Sequence, residues 1–154
     1  MNRLRYSAFT LGAVFITSAV VAQHWATVGS AGFSSGAASF TSIAIGDLAI
    51  PYVVYADMGN GFNVTVKKYD GHRWVNVGES SDPGMRPGAY TAIAIGKNDV
   101  PFLAYQDGRN LKYATVIKYS NGNWVAVGTP KFSDGWVQYT SIAIDKDGNP
   151  YAAY

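Results

Sequence analysis

Apolar residues along the chain form short runs, and within several runs large and small side chains alternate. In one run, Ile43 and Ile45 are separated by the small Ala44. Successive side chains of a strand point to opposite faces, so this alternation predicts a β-strand. Glycine, asparagine, aspartate or proline separates the runs, as is typical of strands joined by tight turns. The pattern therefore predicts an all-β protein.

The same series of runs returns about every fifty residues. A Trp-x-x-Val-Gly segment begins at Trp25, Trp74 and Trp124. A Thr-x-Ile-Ala-Ile run that follows an aromatic residue, and an apolar run led by proline, return at the same interval. Each period thus holds four predicted strands. We call them A (the Thr-x-Ile-Ala-Ile run), B (the proline-led run), C, and D (the tryptophan segment).

Strand C is predicted from Asn63 to Tyr69 and again from Leu111 to Tyr119. Between C and D, one copy has an Asp-Gly pair and the next has an Asn-Gly pair. These dipeptides favour the tight turns of β-hairpins. Each period is therefore predicted to be a four-stranded antiparallel meander.

Tandem units of this kind are typical of the blades of a β-propeller, which stack around a common axis. An aromatic side chain buries about 150–250 Å², so we expect Trp25, Trp74 and Trp124 to fill the space between blades. A β-sandwich or a solenoid is the alternative, although such folds rarely repeat a four-strand unit of constant length. The predicted divisions are a lone outer strand at 23–29, blades at 40–78 and 90–128, and a partial blade at 139–154.

Two complete blades do not close a ring, because propellers usually have about four to eight blades. A lone outer strand at the start commonly completes the last blade of the same chain. We therefore expect the natural protein to continue beyond Tyr154. The alternative is self-association of short chains into one ring, although the missing C strand of the third blade would then leave an unpaired edge.

Over 25–154 the chain resembles the tandem β-propeller repeats of secreted bacterial proteins, such as the kelch-like and sialidase-like propellers. The resemblance implies the fold and no named catalytic residue. The sialidase Asp-box has the pattern Ser-x-Asp-x-Gly-x-x-Trp, whereas the segment from Ser133 to Trp136 has a different spacing and occurs once. The adjacent glycines of kelch repeats are also missing.

Residues 1–22 have the features of a bacterial signal peptide. Arg3 and Arg5 precede an uncharged, largely apolar run that ends at Ala22. The strongly apolar part is shorter than the roughly 20 residues of a membrane span. We therefore expect cleavage before Gln23, no membrane attachment afterwards, and a secreted or periplasmic protein.

Charge and cysteine content argue against several classes of function. The whole chain has 12 basic and 10 acidic residues and a net charge of +2. Cleavage would remove two arginines and no acid, which leaves a net charge of zero and argues against binding to nucleic acid. The absence of cysteine excludes disulfides, thiol catalysis and zinc–thiolate sites.

Turns of a meander alternate between its two ends, so the B–C and D–A connections are expected to emerge on one face. Ligands commonly bind loops that a rigid scaffold holds in place. A stacking aromatic beside acids and arginines would suit the hydroxyls and the CH-rich face of a sugar. The alternative is that the aspartates bind turn amides and that the tryptophan packs over its loop. The candidate ligand-binding residues are Asp57, Asp107, Arg109, Arg86 and Trp136.

No cofactor or metal site is predicted. The segment from Asp145 to Asn149 has a passing likeness to a calcium loop, but it aligns with plain A–B hairpins in the other copies. A calcium site also needs about six to eight oxygen ligands. We expect ordinary turn chemistry at this segment.

The sequence favours a secreted, non-catalytic binding propeller that presents its loops to glycans or cell-surface proteins. One alternative is the N-terminal part of a propeller-fold glycoside hydrolase or sialidase-like enzyme, since two nearby carboxylates suffice for that chemistry. No residue cluster has the spacing of such a pair. Another is a structural repeat segment of a larger surface protein.

Overall fold

A computed structural model describes residues 24–79 and 88–154. In these two segments the chain forms antiparallel β-sheets and two short 3₁₀ turns, Met58–Asn60 and Lys97–Asp99. The all-β prediction is confirmed. The predicted signal peptide at 1–22 and the candidate Arg86 lie outside the described residues.

Two four-stranded meanders and one hairpin make up the described structure. Sheet 1 has the order β1-β2-β3-β4, sheet 2 has the order β5-β6-β7-β8, and β9 pairs with β10. The strands are β1 (Ala38–Ile45), β2 (Pro51–Asp57), β3 (Asn63–Tyr69), β4 (Trp74–Asn76), β5 (Gly88–Gly96), β6 (Val100–Asp107), β7 (Tyr113–Ser120), β8 (Asn123–Ala126), β9 (Ser141–Ile144) and β10 (Pro150–Ala153).

The two sheets have matching registers. Ile43 pairs with Val53 in sheet 1, and Ile93 pairs with Leu103 in sheet 2. The turn from β7 to β8 is a two-residue hairpin in which both central residues, Asn121 and Gly122, have positive φ. Asn-Gly is the dipeptide that this turn geometry favours. The predicted order of strands A to D is therefore present in each sheet.

Sheets 1 and 2 pack against each other through one hydrophobic core. Their first strands, β1 and β5, lie side by side, and β9 lies next to β5. Burial of apolar surface is the main favourable term in folding, and here the surface comes from facing sides of two sheets. Sheet 1 contributes Tyr52, Val54, Val64, Val66 and Val77, and sheet 2 contributes Ile93, Leu103, Tyr105, Ile117 and Trp124.

The tryptophans of β4 and β8 contact the D segment of the preceding copy. Trp124 Nε1 donates a hydrogen bond to the Val77 carbonyl (3.0 Å), and Trp74 Nε1 donates to the Val28 carbonyl (2.9 Å). A glycine with positive φ follows each acceptor. The close approach of the indole explains that glycine, because a Cβ at Gly78 would lie 2.7 Å from Trp124 Nε1.

The expected burial of Trp25 is not observed. Its side chain is fully exposed, and residues 24–29 form no strand within the described part of the chain. Burial of this tryptophan requires a preceding Val-Gly segment. Trp74 and Trp124 each have one, whereas no such segment reaches Trp25 in the described structure.

Replacing Gly78 with alanine is expected to lower the free energy of unfolding by about 2–5 kcal/mol. The left-handed backbone (φ +81°) costs about 1–2 kcal/mol for a residue with a Cβ, and the clash with Trp124 adds about 1–3 kcal/mol of overpacking. Gly122→Ala is the matched control, because Gly122 has φ +84° and nothing within 4 Å of its Cβ position. Urea denaturation followed by circular dichroism measures both; equal losses would contradict the packing role of Gly78.

Candidate functional site

The turns that follow β2 and β6 and the segments that lead into β1, β5 and β9 meet at one end of the sheets. We call this end the loop face. Met58 N donates to the Ala37 carbonyl (3.0 Å), Gly88 N donates to the Phe62 carbonyl (3.1 Å), and Val137 N donates to the Lys112 carbonyl (3.1 Å). The loop face is therefore fixed by backbone hydrogen bonds.

Asp57 lies buried beneath the loop face and accepts four hydrogen bonds. Oδ2 accepts from Ser35 Oγ (2.6 Å) and Ser35 N (3.3 Å), and Oδ1 accepts from Gly36 N (3.1 Å) and Gly59 N (3.0 Å). Only 1% of the residue is exposed. Its carboxylate joins the segment before β1 to the turn after β2, which favours the turn-amide interpretation over ligand binding.

Asp107 has the same place in sheet 2 and is equally buried. Its carboxylate accepts from Arg109 N (3.0 Å) and from Asn110 Nδ2. A buried carboxylate that accepts hydrogen bonds from its own turn is held as a structural acceptor. The two recurring aspartates therefore organise the turns from below rather than forming the exposed surface of the loop face.

Arg109 and Trp136 are exposed on the loop face. The Trp136 indole is 76% exposed, and Lys112 Nζ lies 4.8 Å from the ring centroid. This is a cation–π distance. The indole therefore presents an open aromatic surface, which disfavours the alternative that Trp136 packs over its own loop.

The backbone on either side of Trp136 is held by sheet 2. Ala114 N donates to Ser133 Oγ (3.0 Å), and Ser133 Oγ donates to the Gly135 carbonyl (2.8 Å). The Gln106 side-chain amide donates to the Val137 carbonyl (2.5 Å). Because the segment is anchored before and after the indole, the aromatic surface is largely preformed.

Phe40, Tyr90 and Tyr139 form an aromatic row that we did not predict as a site. The ring centroids of Phe40 and Tyr90 are 4.7 Å apart, and those of Tyr90 and Tyr139 are 5.1 Å apart. All three residues have positive φ, and the register shifts at this point in both sheets. The signal in the sequence was the aromatic residue that precedes every Thr-x-Ile-Ala-Ile run.

Threonines next to the aromatic row connect neighbouring sheets. Thr91 Oγ1 donates to the Phe40 carbonyl, and Thr140 Oγ1 donates to the Tyr90 carbonyl. An aromatic residue rarely has positive φ unless its surroundings impose it. The contact between sheets provides that constraint and sets the rings side by side.

No family model matches this chain, and no curated protein is significantly similar to it. Function must therefore be inferred from the site.

Two features are absent from residues 24–79 and 88–154. No group of three or more His, Asp or Glu side chains there could hold a metal ion. No helix in these segments is long and apolar enough to cross a bilayer.

At the segment that resembled a calcium loop, the Asp145 carboxylate accepts from Asp147 N (2.9 Å) and Asn149 N (2.8 Å). The turn interpretation of this segment is confirmed, and hydrogen bonds from Asn149 lower the pKa of Asp145.

An open apolar cavity of about 330 Å³ lies on the outer side of sheet 1. Phe33, Ile43, Val53 and Tyr55 are among its lining residues. Ile43 is 63% exposed, whereas Ile93, its equivalent in sheet 2, is 6% exposed because it packs in the core between the sheets. The cavity therefore corresponds to a surface that another sheet covers in the second copy.

Tyr55 carries a buried hydroxyl with no hydrogen-bond partner among the described residues. Burial and the negative charge of Asp57 raise its pKa from 10.0 to about 12. The folded state thus holds the phenol proton more tightly than the unfolded state does. This contribution to stability is complete below pH 10 and is lost as the pH rises through 12.

Replacing Tyr55 with phenylalanine is expected to raise the free energy of unfolding at pH 7 by about 1 kcal/mol, because it removes an unpaired buried hydroxyl. The loss of stability between pH 10 and 12 should also become smaller. Urea titrations at pH 7, 10 and 11.5 measure both effects. Tyr139→Phe, at an 80% exposed position, should change neither; a destabilised Tyr55→Phe protein would show that the hydroxyl has a partner.

Proposed function

We propose that the chain is part of a secreted β-propeller whose loop face binds glycans without catalysis. In this proposal sheets 1 and 2 are blades, β9 and β10 begin a third blade, and residues 1–22 direct export. Equal strand order, matching registers and the succession of β1, β5 and β9 support the blade arrangement. The exposed side of sheet 1 supports a further neighbour.

The exposed indole of Trp136 carries the proposal for ligand binding. It is a large exposed aromatic surface, and Ser133 and Val137 on either side of it accept hydrogen bonds from sheet 2. Aromatic rings offer a flat apolar surface to the CH groups of a sugar ring. The cation of Lys112, and that of Arg109 in the same connection between β6 and β7, can bind hydroxyl or carboxylate oxygens of a ligand.

The two aspartates beneath the loop face support a non-catalytic role. A glycosidase needs two carboxyl groups that reach the glycosidic bond. Asp57 and Asp107 recur in the two sheets, but both are buried and accept hydrogen bonds from the loops around them. The burial of these two aspartates favours binding over hydrolysis.

The test is glycan binding by the native chain and by two tryptophan variants. We expect the native protein to bind a subset of neutral and acidic oligosaccharides on an array. Trp136→Ala should weaken that binding at least about tenfold, which corresponds to about 1.4 kcal/mol. Trp25→Ala is the matched control, because this indole is also exposed but does not belong to the segment that leads into β9. Absence of binding, or equal affinity of the two variants, would contradict the proposal.

A further inference from the structure

The pair of residues that receives an indole from the next copy is present a third time, and there no indole lies against it among the described residues. Val77 and Gly78 receive the indole of Trp124, and Val127 and Gly128 occupy the same positions one copy later. Gly128 has φ +71°, close to the +81° of Gly78. Nothing lies within 4 Å of its Cβ position among the described residues, whereas at Gly78 the indole fills that space.

A groove of about 260 Å³ lies beside Gly128. We call it the Gly128 groove. It lies between the end of sheet 2 and strand β10, as Trp124 lies between the end of sheet 1 and sheet 2. Its walls are apolar in the main, so they match the surroundings of a buried indole. The residues that line it are Val116, Val127, Gly128, Thr129, Phe132, Pro150 and Ala152.

The outer edge of β10 is open next to the same groove. In sheets 1 and 2, β2 pairs with β3 and β6 pairs with β7. In residues 24–79 and 88–154, β10 pairs with β9 alone. Tyr151 is 64% exposed and Tyr154 is 56% exposed. A strand edge with unpaired amides and carbonyls is a template for another strand.

We propose that the Gly128 groove and the edge of β10 form one docking site for a β-hairpin whose second strand begins with tryptophan. The occupant is a further C–D hairpin of the type formed by β7 and β8. Its first strand pairs with β10 as β7 pairs with β6, and its indole lies on Gly128 as Trp124 lies on Gly78. The docking site therefore continues an interface that the structure already contains twice.

A second copy of the same chain fits this site less well. Its β7–β8 hairpin is already paired with its own β6. Its exposed Trp25 belongs to a segment that forms no hairpin in the described structure. That segment offers an indole for the groove but no second strand to pair with β10. A separate hairpin supplies both a strand for the edge of β10 and an indole for the Gly128 groove.

The experiment uses a fluorescein-labelled peptide with the sequence of residues 111–128 and the 154-residue chain, with binding measured by fluorescence anisotropy. We expect saturable binding. Trp124→Ala in the peptide should weaken it at least tenfold. Gly128→Ala in the protein should weaken it to a similar extent, because the new Cβ occupies the place of the indole. Gly32→Ala is the matched control, with φ +70° and nothing within 4 Å, and should bind as the native chain does.

Circular dichroism of each protein variant distinguishes loss of the site from loss of the fold. Absence of binding by the folded native chain would overturn the proposal. Equal affinity of the two peptides, or of the Gly128→Ala and Gly32→Ala proteins, would also overturn it, because the indole would then not be recognised. Concentration-dependent self-association that Gly128→Ala abolishes would assign the groove to a second copy and reject the hairpin.

Discussion

Replacing Trp124 with alanine is expected to lower the free energy of unfolding by about 3–5 kcal/mol, the usual cost of truncating a large buried aromatic residue. Trp124 is 4% exposed, packs in the core between the two sheets and donates a hydrogen bond to the Val77 carbonyl. Truncation leaves a cavity beside Gly78 and removes the donor for that carbonyl. Domains of this size are stable by only about 5–15 kcal/mol, so the variant should be near the limit of folding.

The three repeated tryptophans provide an internal scale for this prediction. Trp74 is half-buried and stacks on Phe33 with ring centroids 4.8 Å apart, so its truncation should have an intermediate effect. Trp25→Ala should change stability by less than about 0.5 kcal/mol, as at other exposed positions. Urea denaturation followed by circular dichroism avoids dependence on tryptophan fluorescence. A loss of similar size in all three variants would show that Trp25 has a neighbour in solution.

Local patterns in the sequence predicted the strands well. Strand C was predicted from Asn63 to Tyr69, which are the bounds of β3, and from Leu111 to Tyr119, where β7 spans Tyr113–Ser120. Side-chain alternation and Asn-Gly or Asp-Gly turns depend on neighbours in the chain, and such signals can be read directly. The register of each sheet follows from them, because a shift by one residue would turn the apolar side chains away from the core.

Contacts between copies were not predictable in the same way. The Trp-x-x-Val-Gly motif places a glycine after its valine. The indole that requires glycine at position 78, however, comes from a residue 46 positions later in the chain. Likewise, the positive φ of Phe40 and Tyr90 depends on hydrogen bonds from the next sheet. Aromatic residues disfavour this conformation, so nothing local in the sequence indicates it.

The candidate site was predicted in part. Trp136 and Arg109 are exposed on the loop face, as a ligand-binding role requires, whereas Asp57 and Asp107 are buried beneath it. The sequence allowed both interpretations of the aspartates, because a recurring Asp at the end of a strand fits a turn as well as a site. Lys112 and the aromatic row were missed, because their contacts join residues far apart in the chain that meet only in the folded structure.

Replacing Asp57 with alanine is expected to lower the free energy of unfolding by about 3 kcal/mol. The carboxylate is the acceptor for the backbone N–H groups of Ser35, Gly36 and Gly59, and for the Ser35 hydroxyl. Each buried donor without a partner costs about 1–3 kcal/mol, and access of water to the loop face reduces the sum. Because Asp57 joins two connections, its loss should also loosen the segment before β1, and amide hydrogen exchange at Gly36 and Gly59 should quicken.

Two further variants separate the loss of hydrogen bonds from the loss of charge. Asp57→Asn keeps the shape and one acceptor oxygen, but its NH₂ group faces donors, so its stability should lie between those of Asp57→Ala and the native chain. Asp145→Ala removes a carboxylate that also binds turn amides, but this group is at the surface. Water can replace the lost acceptor there, so the effect should be smaller. If Asp57→Ala were no more destabilising than Asp145→Ala, the carboxylate of Asp57 would be free for a ligand. The distinction between buried supporting aspartates and exposed binding residues at the loop face would then be wrong.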